Sequence, residues 1–406
     1  MANDMDLYFR TFKVDLQGRK LADCRQFRYF QQEIFSRLVI FYLSLLGFGW
    51  QQLVNNCDVI VGISHCRRPF FYSLTPMLNN PGPYRSEALA ISHPLQRILH
   101  PLLYFEIFSY PLKLEEIQDL CRGESFTKND LEKHLADAIE RGLIYNCQGF
   151  YSCQNRPDWV EKRIDNNQRA ERYIRHAYRM SHLIRRFPFV RGVFLSGALS
   201  KNVMPKDGDI DYFIITKPGR LWVSRTLLVL FKKIVLFNSH KYFCVNYFVD
   251  EDHLTIEEQN QFTATEVATL TPLYSKSIYD RFLQANAWTK QYYPNFPARD
   301  TQKTIPVKES RTQRFLEWIL QGQLGERLDT FFYRRTLKFW QQKFATFEPE
   351  KFATALKSRP YVSKHHPQDF QNRVLSELEK RITAFEERHQ VRLDRSALNP
   401  LSAPTE

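Results

Sequence analysis

The stretch SGALSKNVMPKDGDIDYFII, from Ser196 to Ile215, decides the fold prediction for this chain. It joins a turn of small residues to two aspartates, Asp209 and Asp211, which stand two positions apart before an apolar run. Side chains two positions apart on an extended strand point to the same face about 7 Å apart, so we expect the two carboxylates to project together. Two carboxylates in this arrangement are suited to bind a hard divalent cation such as Mg²⁺.

A simpler explanation exists for the first part of this pattern. Asp-Gly-Asp is a turn signal, so Asp207 and Gly208 can form the loop that opens the strand. That explanation does not account for Asp211, because a carboxylate between Ile210 and the apolar run 212–215 must be paired or must bind a cation if the strand is buried. We therefore favour a metal site over a turn.

The apolar strand 190–195, the turn at Gly197 and Ala198, and the Asp-Ile-Asp pattern together resemble the nucleotidyltransferase superfamily, which includes DNA polymerase β and the aminoglycoside nucleotidyltransferases. The resemblance implies an enzyme that transfers phosphorus-containing groups, with Asp209 and Asp211 as catalytic metal ligands for two Mg²⁺ ions. A nucleoside triphosphate would be the substrate and an unidentified hydroxyl group the acceptor. Two ions roughly 3.5–4 Å apart can contact both the attacking and the leaving oxygen of such a displacement.

In that superfamily, a Gly-Ser turn at the start of a helix receives the nucleotide phosphates on its backbone N–H groups. Gly197 and Ala198 stand at these positions here, and the alanine departs from the pattern because it lacks a hydroxyl group. Ser196 and Ser200 are close enough in sequence to replace that hydroxyl. The predicted nucleotide-binding residues are therefore Ser196, Gly197, Ala198 and Ser200.

The superfamily usually adds a third carboxylate on a later strand, and KYFCVNYFVD, residues 241–250, is the best candidate strand. Its middle position is Asn246, which we include among the catalytic residues. An amide can bind a metal weakly through its oxygen but cannot accept a proton, so a general-base contribution of about 10²–10⁴-fold would be missing. The alternatives are Asp250, Glu251 and Asp252 at the end of the strand, of which Asp250 shares the face of Asn246 but lies further along. A second hypothesis follows, in which the protein keeps the fold as a catalytically impaired binding or regulatory protein.

The composition sets broad limits. A chain of 406 residues that is 43% hydrophobic can build two or three domains with their own cores. A net charge of +13 favours an anionic partner, which could be a nucleotide, a nucleic acid or a membrane surface. Seven cysteines without zinc-site spacing predict reduced thiols and a cytoplasmic location. The longest apolar run, Leu38 to Trp50, is shorter than the roughly 20 residues that span a bilayer, so no transmembrane segment is predicted.

The predicted fold class is α+β, in six parts. Residues 1–84 are unassigned, and one hypothesis is that translation begins at Met77 and that the upstream stretch is a mispredicted extension. A winged helix-turn-helix follows at 85–155, then a linker helix at 156–190, a small mixed-sheet nucleotidyltransferase core at 191–260, a C-terminal helical region at 261–395 and a tail at 396–406. From about Leu95 to Leu393 this order resembles a group of uncharacterised bacterial nucleotidyltransferase-domain proteins.

Local signals support the winged helix. Thr127 and Asp130 resemble a capping box, and Leu131, Leu135 and Ile139 recur at helical spacing. A hairpin about residues 148–149 would be the wing. The third helix has nearly balanced charge, so we favour a packing or partner-binding module over DNA recognition.

Basic residues elsewhere leave further alternatives open. The segment 156–191 is rich in arginine along a predicted long helix, which indicates a solvated face or, alternatively, a surface for nucleic acid or a phosphorylated substrate. Lys217, Arg220 and Arg225 precede or begin the next helix and are predicted to be solvated or to contact triphosphate. The segment 358–370, with Arg359, Lys364, His365 and His366, is predicted to be an ordinary interhelix connection, with a nucleotide-contacting loop as the alternative.

Overall fold

The structure, a computed structural model, describes residues 89–236 and 241–395. The unassigned segment 1–84, the apolar run 38–50, the hypothesis of a start at Met77 and the tail 396–406 all lie outside the described residues. Every described residue belongs to one compact unit of the chain. In this part of the chain, no helix combines the length and the apolar character needed to cross a membrane.

The predicted α+β class is confirmed, because helices alternate with mixed and antiparallel sheets. The first part of the chain contains short strands and three helices, namely β1 (Leu89–Ala90), α1 (His93–Glu106), β2 (Leu112–Lys113), α2 (Leu114–Leu120), α3 (Lys128–Glu140), β3 (Tyr145–Cys147) and β4 (Phe150–Ser152). Strands β2, β4 and β3 form an antiparallel sheet in that order. This first part therefore combines a three-helix cluster with a small sheet.

Helix α3 begins where the sequence predicts and ends just before a glycine. The Thr127 hydroxyl accepts a hydrogen bond from the backbone N–H of Asp130 at 3.2 Å, which satisfies a donor that the helix start leaves free. Gly142 follows the helix with φ of +68°, a conformation that glycine adopts without strain. Leu131 and Leu135 are buried, but Ile139 is 39% exposed, so the predicted apolar stripe is shorter than expected. Ala138 is buried in its place because it faces the core at the last turn.

The middle of the chain supplies four of the six strands of the central sheet. Its elements are α4 (Pro157–Ile184), β5 (Val190–Ser196), β6 (Asp211–Thr216), α5 (Leu221–Val235), β7 (Cys244–Asp250), α6 (Gln261–Thr269), β8 (Thr271–Tyr274) and α7 (Lys276–Ala285). The remaining elements are α8 (Arg311–Leu320), α9 (Gln323–Lys343), α10 (Pro349–Ala355), β9 (Ser358–Arg359), β10 (Val362–Lys364), α11 (Phe370–His389) and β11 (Val391–Arg392). Two short 3₁₀ helices, Leu199–Lys201 and Ala287–Gln291, connect them.

The central sheet has six strands in the order β8-β5-β6-β7-β10-β9. Strand β6 pairs antiparallel with β5 and parallel with β7, so the sheet is mixed. The region 261–395, predicted to be helical, also supplies β8, β9 and β10. Strands β9 and β10 pair as an antiparallel hairpin across the segment predicted to be a simple connection, and β10 pairs with β7. The sheet is therefore completed by strands that lie far from its centre in sequence.

Aromatic side chains fill the core on one side of this sheet. Phe194 of β5 and Phe213 of β6 stack at 6.2 Å between ring centroids, and Phe282 of α7 packs against both. All three side chains are at most 4% exposed. Burying an aromatic side chain of this size stabilises the folded state by roughly 1.5–3 kcal/mol. These contacts fix β5 and β6 against each other and thereby fix the ends of both strands.

The long helix α4 is not simply solvated. Arg163 is 4% exposed, forms an ion pair with Glu116 of α2 at 2.7 Å and lies 4.0 Å from the centre of the Tyr110 ring. Arg169 donates hydrogen bonds to the side chain of Asp165 and, at 2.7 Å, to the carbonyl oxygen of Met204. These two arginines anchor α4 to its neighbours, whereas others in the predicted basic segment remain exposed, namely Arg172, Arg175 and Arg179.

Candidate metal centre

Three segments meet at one edge of the central sheet. Strand β5 ends at Ser196, and Asp211, the first residue of β6, lies opposite it in the antiparallel register. Strand β7 begins at Cys244, which is the parallel partner of Asp211. The turn after β5, the start of β6 and the start of β7 are therefore neighbours, although they are distant in sequence.

The two predicted aspartates converge at this edge. The carboxylate oxygens of Asp209 and Asp211 and the sulfur of Cys244 all lie within 4.8 Å of one another. Asp209 lies before β6 rather than within it, so the strand is shorter than the sequence suggests. The residue between the aspartates, Ile210, is nevertheless held like a strand residue: its N–H donates to Lys241 and its carbonyl oxygen accepts from Cys244, both at 3.0 Å. This pairing keeps both carboxylates on the same side.

Gly197 lies directly against the Asp211 carboxylate. Its φ is +67°, and a methyl group added at its Cα would overlap the carboxylate, with the Asp211 carboxyl carbon only 3.1 Å away. A side chain at this position would therefore be both strained and obstructed. The glycine allows the turn after β5 to approach the acidic pair closely.

The other predicted nucleotide-binding residues have different surroundings. Ser196 is half-buried at the end of β5 and Ala198 is exposed. Ser200 is buried, and its hydroxyl donates to the carbonyl oxygen of Gly197 at 2.8 Å, so it stabilises the turn instead of pointing outward. The turn leads into a three-residue 3₁₀ helix, Leu199–Lys201, rather than into an α-helix. Ser200 is therefore a poor replacement for the missing hydroxyl at Ala198.

Asn246 also reaches the acidic pair. A bulge between β6 and β7 turns its side chain toward Asp211, whose carboxylate accepts a hydrogen bond from the Asn246 amide at 2.9 Å. Asp250, the alternative third carboxylate, pairs in register with Thr216 at the opposite ends of the two strands. At about 3.3 Å per residue, that end is more than 10 Å away. Asp250 is also occupied, because it accepts hydrogen bonds from the N–H groups of Asp252 and His253. Asp250 therefore does not lie at the acidic pair.

Two charged residues at this site were not found from the sequence. The Lys201 ammonium group donates to the carbonyl oxygen of Gly197 at 3.1 Å and forms an ion pair with Glu266 of α6 at 2.8 Å. Glu266 is close enough to raise the pKa of Asp211. Lys201 lies within the opening stretch of sequence, but nothing in its neighbours distinguishes it from a surface lysine. Glu266 is brought here only by the packing of α6.

The surroundings make the acidic pair a site of high proton affinity. Burial, followed by the charge of Asp209, raises the pKa of Asp211 to about 7, although hydrogen bonds from Cys244 and Asn246 oppose the shift. Burial and the two nearby carboxylates raise the pKa of the Cys244 thiol far above its usual value. The thiol is therefore protonated at neutral pH and can donate a hydrogen bond to the carboxylates. A bound cation would compensate the same negative charge that the Asp211 proton neutralises.

This set of donors fits one hard cation better than two. Two carboxylates with room for water are typical ligands for Mg²⁺, whereas a protonated thiol is not. A second ion would need a further oxygen ligand. Asn246 offers its NH₂ group to Asp211, and Glu266 is paired with Lys201. Asp209 and Asp211 would hold the first ion, and the second has no complete ligand set among the described residues.

Comparisons with protein-family models, with curated proteins and with solved structures found no match for this chain.

Proposed function

We propose that this protein is a Mg²⁺-dependent nucleotidyltransferase that transfers a nucleoside monophosphate from a nucleoside triphosphate to a hydroxyl group. The observation that carries the proposal is the convergence of Asp209 and Asp211 at a sheet edge where Gly197 packs against the Asp211 carboxylate. Two carboxylates beside a close backbone turn offer a cation site next to a position that phosphate oxygens can reach. A cytoplasmic location, as predicted from the reduced thiols, belongs to the same proposal.

Each residue of the site has a role in this proposal. Asp209 and Asp211 hold the cation, which when bound would neutralise the charge of the transferring phosphoryl group. Gly197 and Ala198 place backbone beside the phosphates. Lys201 holds the turn in position through the Gly197 carbonyl oxygen and neutralises Glu266. Asn246 orients Asp211 through its hydrogen bond.

Residues 85–155 are proposed to be a winged helix that packs against the rest of the protein or binds a protein partner. The basic residues of α3 support this over DNA recognition, because they pair with acids on the same helix: Lys128 with Glu132, Lys133 with Asp130, and Arg141 with Asp137. Pairing of this kind reduces the number of free cations for phosphate. Retention of the full-length protein on duplex DNA at low salt, lost at high salt, would argue for the DNA alternative.

A second candidate function is nucleotide binding without turnover. Asn246 favours it, because an amide bonded to Asp211 cannot act as a proton acceptor for the attacking hydroxyl. The two candidate functions share the cation site and differ only in whether the bound nucleotide reacts. Release of pyrophosphate from a radiolabelled triphosphate, with label transfer to a cellular acceptor, would separate them.

The first test of the proposal is cation-dependent nucleotide binding. Titration of the four ribonucleoside triphosphates into the full-length protein should give binding that requires Mg²⁺ for at least one of them. Asp209→Asn should weaken that binding at least tenfold, because half of the negative charge that holds the cation is removed. Asp207→Asn is the matched control, since Asp207 is exposed and lies two residues away. The proposal would be rejected if nucleotide binding were weakened equally in both variants, or if it did not depend on Mg²⁺.

A second prediction concerns the missing carboxylate. We expect Asn246→Asp to lower the free energy of unfolding by about 1–3 kcal/mol without a divalent cation, because it places a new carboxylate beside Asp211 in a partly buried site. Mg²⁺ should restore most of this loss by occupying the enlarged acidic site. Urea denaturation without divalent cation and with about 10 mM Mg²⁺ measures both effects.

Asn372→Asp provides the control for this prediction. Asn372 also donates to an aspartate, Asp369, at 3.1 Å, but it is exposed. Solvent should screen the new repulsion there, so that the change in stability is small and independent of Mg²⁺. If Mg²⁺ stabilised both variants equally, the acidic edge would have no special affinity for the cation.

A further inference from the structure

A group of basic side chains lies beside the acidic pair, on the side away from Gly197. It consists of Arg225 and Lys232 of α5, Lys343 at the end of α9, and His365 just after β10, and we call it the cationic cluster. The sheet order places β5 on one side of β6 and places β7, then β10, on the other. The Gly197 turn and the cationic cluster therefore flank the two aspartates from opposite sides.

Arg225 has an unusual environment for a charged side chain. Its guanidinium group lies 4.8 Å from the ring centre of Trp340 and 5.5 Å from that of Trp222. Across residues 89–236 and 241–395, it forms no hydrogen bond and no ion pair. Burial lowers its pKa to about 10, and no neighbouring carboxylate opposes that shift. A partly buried arginine is costly unless an anion compensates its charge.

His365 links this arginine to the acidic pair. Its ring stacks on Trp340 at 4.6 Å, and its backbone N–H donates to the carbonyl oxygen of Asn246 at 2.8 Å. Nδ1 of His365 is buried and has no hydrogen-bond partner among the described residues. Burial and the surrounding cations, with Arg225 the largest of these, lower the pKa of His365 to about 3. The imidazole is therefore neutral, and the cluster carries its charge on the arginine and the lysines.

Lys232 of α5 is a second link between the cationic cluster and the acidic pair. Burial lowers its pKa, and the interactions with Cys244 and Asp209 oppose this shift, so the lysine lies within electrostatic reach of the metal centre. Arg225 and Lys232 are separated by seven positions on one helix, which corresponds to about 10 Å. An anion bound at Arg225 would thus lie about two helical turns from the lysine that is near the metal centre.

We propose that the cationic cluster binds an anionic group, a phosphate or phosphate ester, of the acceptor substrate, with Arg225 as its main contact. This inference rests on the proposed function and gives the acceptor a chemical class: a phosphorylated molecule that carries a separate attacking hydroxyl group. The triphosphate of the donor nucleotide occupies the opposite side, at Gly197. An arginine held flat by aromatic rings keeps its fork of N–H donors ordered for a phosphate oxygen pair.

Inorganic phosphate is the probe for this site. Without divalent cation and at constant ionic strength, phosphate should stabilise the full-length protein against thermal unfolding in a saturable way. Arg225→Gln should raise the apparent dissociation constant for phosphate at least tenfold, because it removes the charge but leaves a side chain of similar length. Lys233→Gln is the matched control on the same helix, since Lys233 is exposed, and it should change the constant less than twofold. An unchanged constant in Arg225→Gln would overturn the proposal.

A second variant and a competition experiment complete the test. If Arg225→Gln does not fold, Lys232→Gln should still weaken phosphate binding about threefold or more, and no weakening would overturn the proposal. In wild type, a nucleoside triphosphate with Mg²⁺ should not displace phosphate; competitive displacement would show that the cluster serves the donor nucleotide instead and would overturn the acceptor assignment. Phosphate binding by wild type, with no Mg²⁺-dependent binding of any nucleoside triphosphate by wild type, would remove the proposed function and leave the anion site.

Discussion

Asp211→Asn should stabilise the cation-free protein at pH 8 by roughly 1–3 kcal/mol and should abolish Mg²⁺-dependent ligand binding. The stabilisation follows from the environment of Asp211, which is partly buried and faces the charge of Asp209. An asparagine of the same shape removes the buried charge and can still form a hydrogen bond with Asn246. The same change removes one of the two carboxylates that hold the cation, so stability and binding move in opposite directions.

The pH dependence provides a second measurement of this effect. In the folded state the pKa of Asp211 is raised to about 7, whereas in the unfolded chain it returns to an ordinary aspartate value near 4. Between these values the folded state holds more protons than the unfolded state, so this group lowers stability as the pH rises from about 4 to 7. Above about pH 7 the full penalty is present. In Asp211→Asn this part of the slope should disappear, and in wild type saturating Mg²⁺ should reduce it.

Urea denaturation at a series of pH values, with and without Mg²⁺, measures both the slope and the gain. Asp207→Asn serves as control because Asp207 is exposed and should leave the slope unchanged. A wild-type stability that rose steadily between pH 4 and 7, with no change of slope in Asp211→Asn, would mean that Asp211 is ionised and solvated. In that case a cation would have no strong repulsion between Asp209 and Asp211 to relieve.

Gly197→Ala is expected to destabilise the protein by about 2–4 kcal/mol and to disturb the acidic pair. Two costs add at this position. The first is the positive φ, which costs an alanine roughly 1 kcal/mol. The second is the overlap of the new methyl group with the Asp211 carboxylate, which forces the turn or the aspartate to move. Displacement of Asp211 should also weaken Mg²⁺-dependent nucleotide binding by tenfold or more.

Gly219→Ala separates the two costs. Gly219 has nearly the same φ, +66°, but no atom lies within 4 Å of an added methyl group. It should therefore show the backbone cost alone and leave nucleotide binding unchanged. In Gly197→Ala combined with Asp211→Ala, part of the overlap is relieved, so the double variant should lose less stability than the sum of the single changes. Equal destabilisation in Gly197→Ala and Gly219→Ala would show that the turn does not press on Asp211.

The alternation rule and the turn signals located most of the candidate site in advance. Asp209 and Asp211 converge because both backbone polar groups of Ile210 between them are hydrogen-bonded to the segment 241–244, as those of a strand residue would be. Asn246 was assigned because the resemblance to nucleotidyltransferases implies a polar ligand in the middle of this apolar strand, and it contacts Asp211. Gly197 was assigned as a tight turn, and its left-handed backbone agrees with that. In each case the information is local, because it depends on side-chain direction within a few residues.

Long-range packing decided the rest of the site and of the fold. Glu266 and Cys244 join the acidic edge only because α6 and β7 are brought to it. Asp250 matched Asn246 in alternation, but a parallel register and the length of the strand put it at the far end. Ser200 had the right chemistry, and its hydroxyl is used to hold the turn. The local sequence does not show which of several chemically suitable side chains will already be hydrogen-bonded to other groups in the tertiary structure.

The chain by itself therefore determined an α+β protein with a paired-aspartate edge, because periodicity and turn chemistry are properties of neighbouring residues. Only the tertiary structure decided that β8, β9 and β10 complete the sheet, and that an arginine without a counter-ion among the described residues lies against Trp222 and Trp340. These features depend on contacts between residues far apart in the chain. Their energies arise from burial and from charges brought together in a low-dielectric interior, which no local pattern encodes.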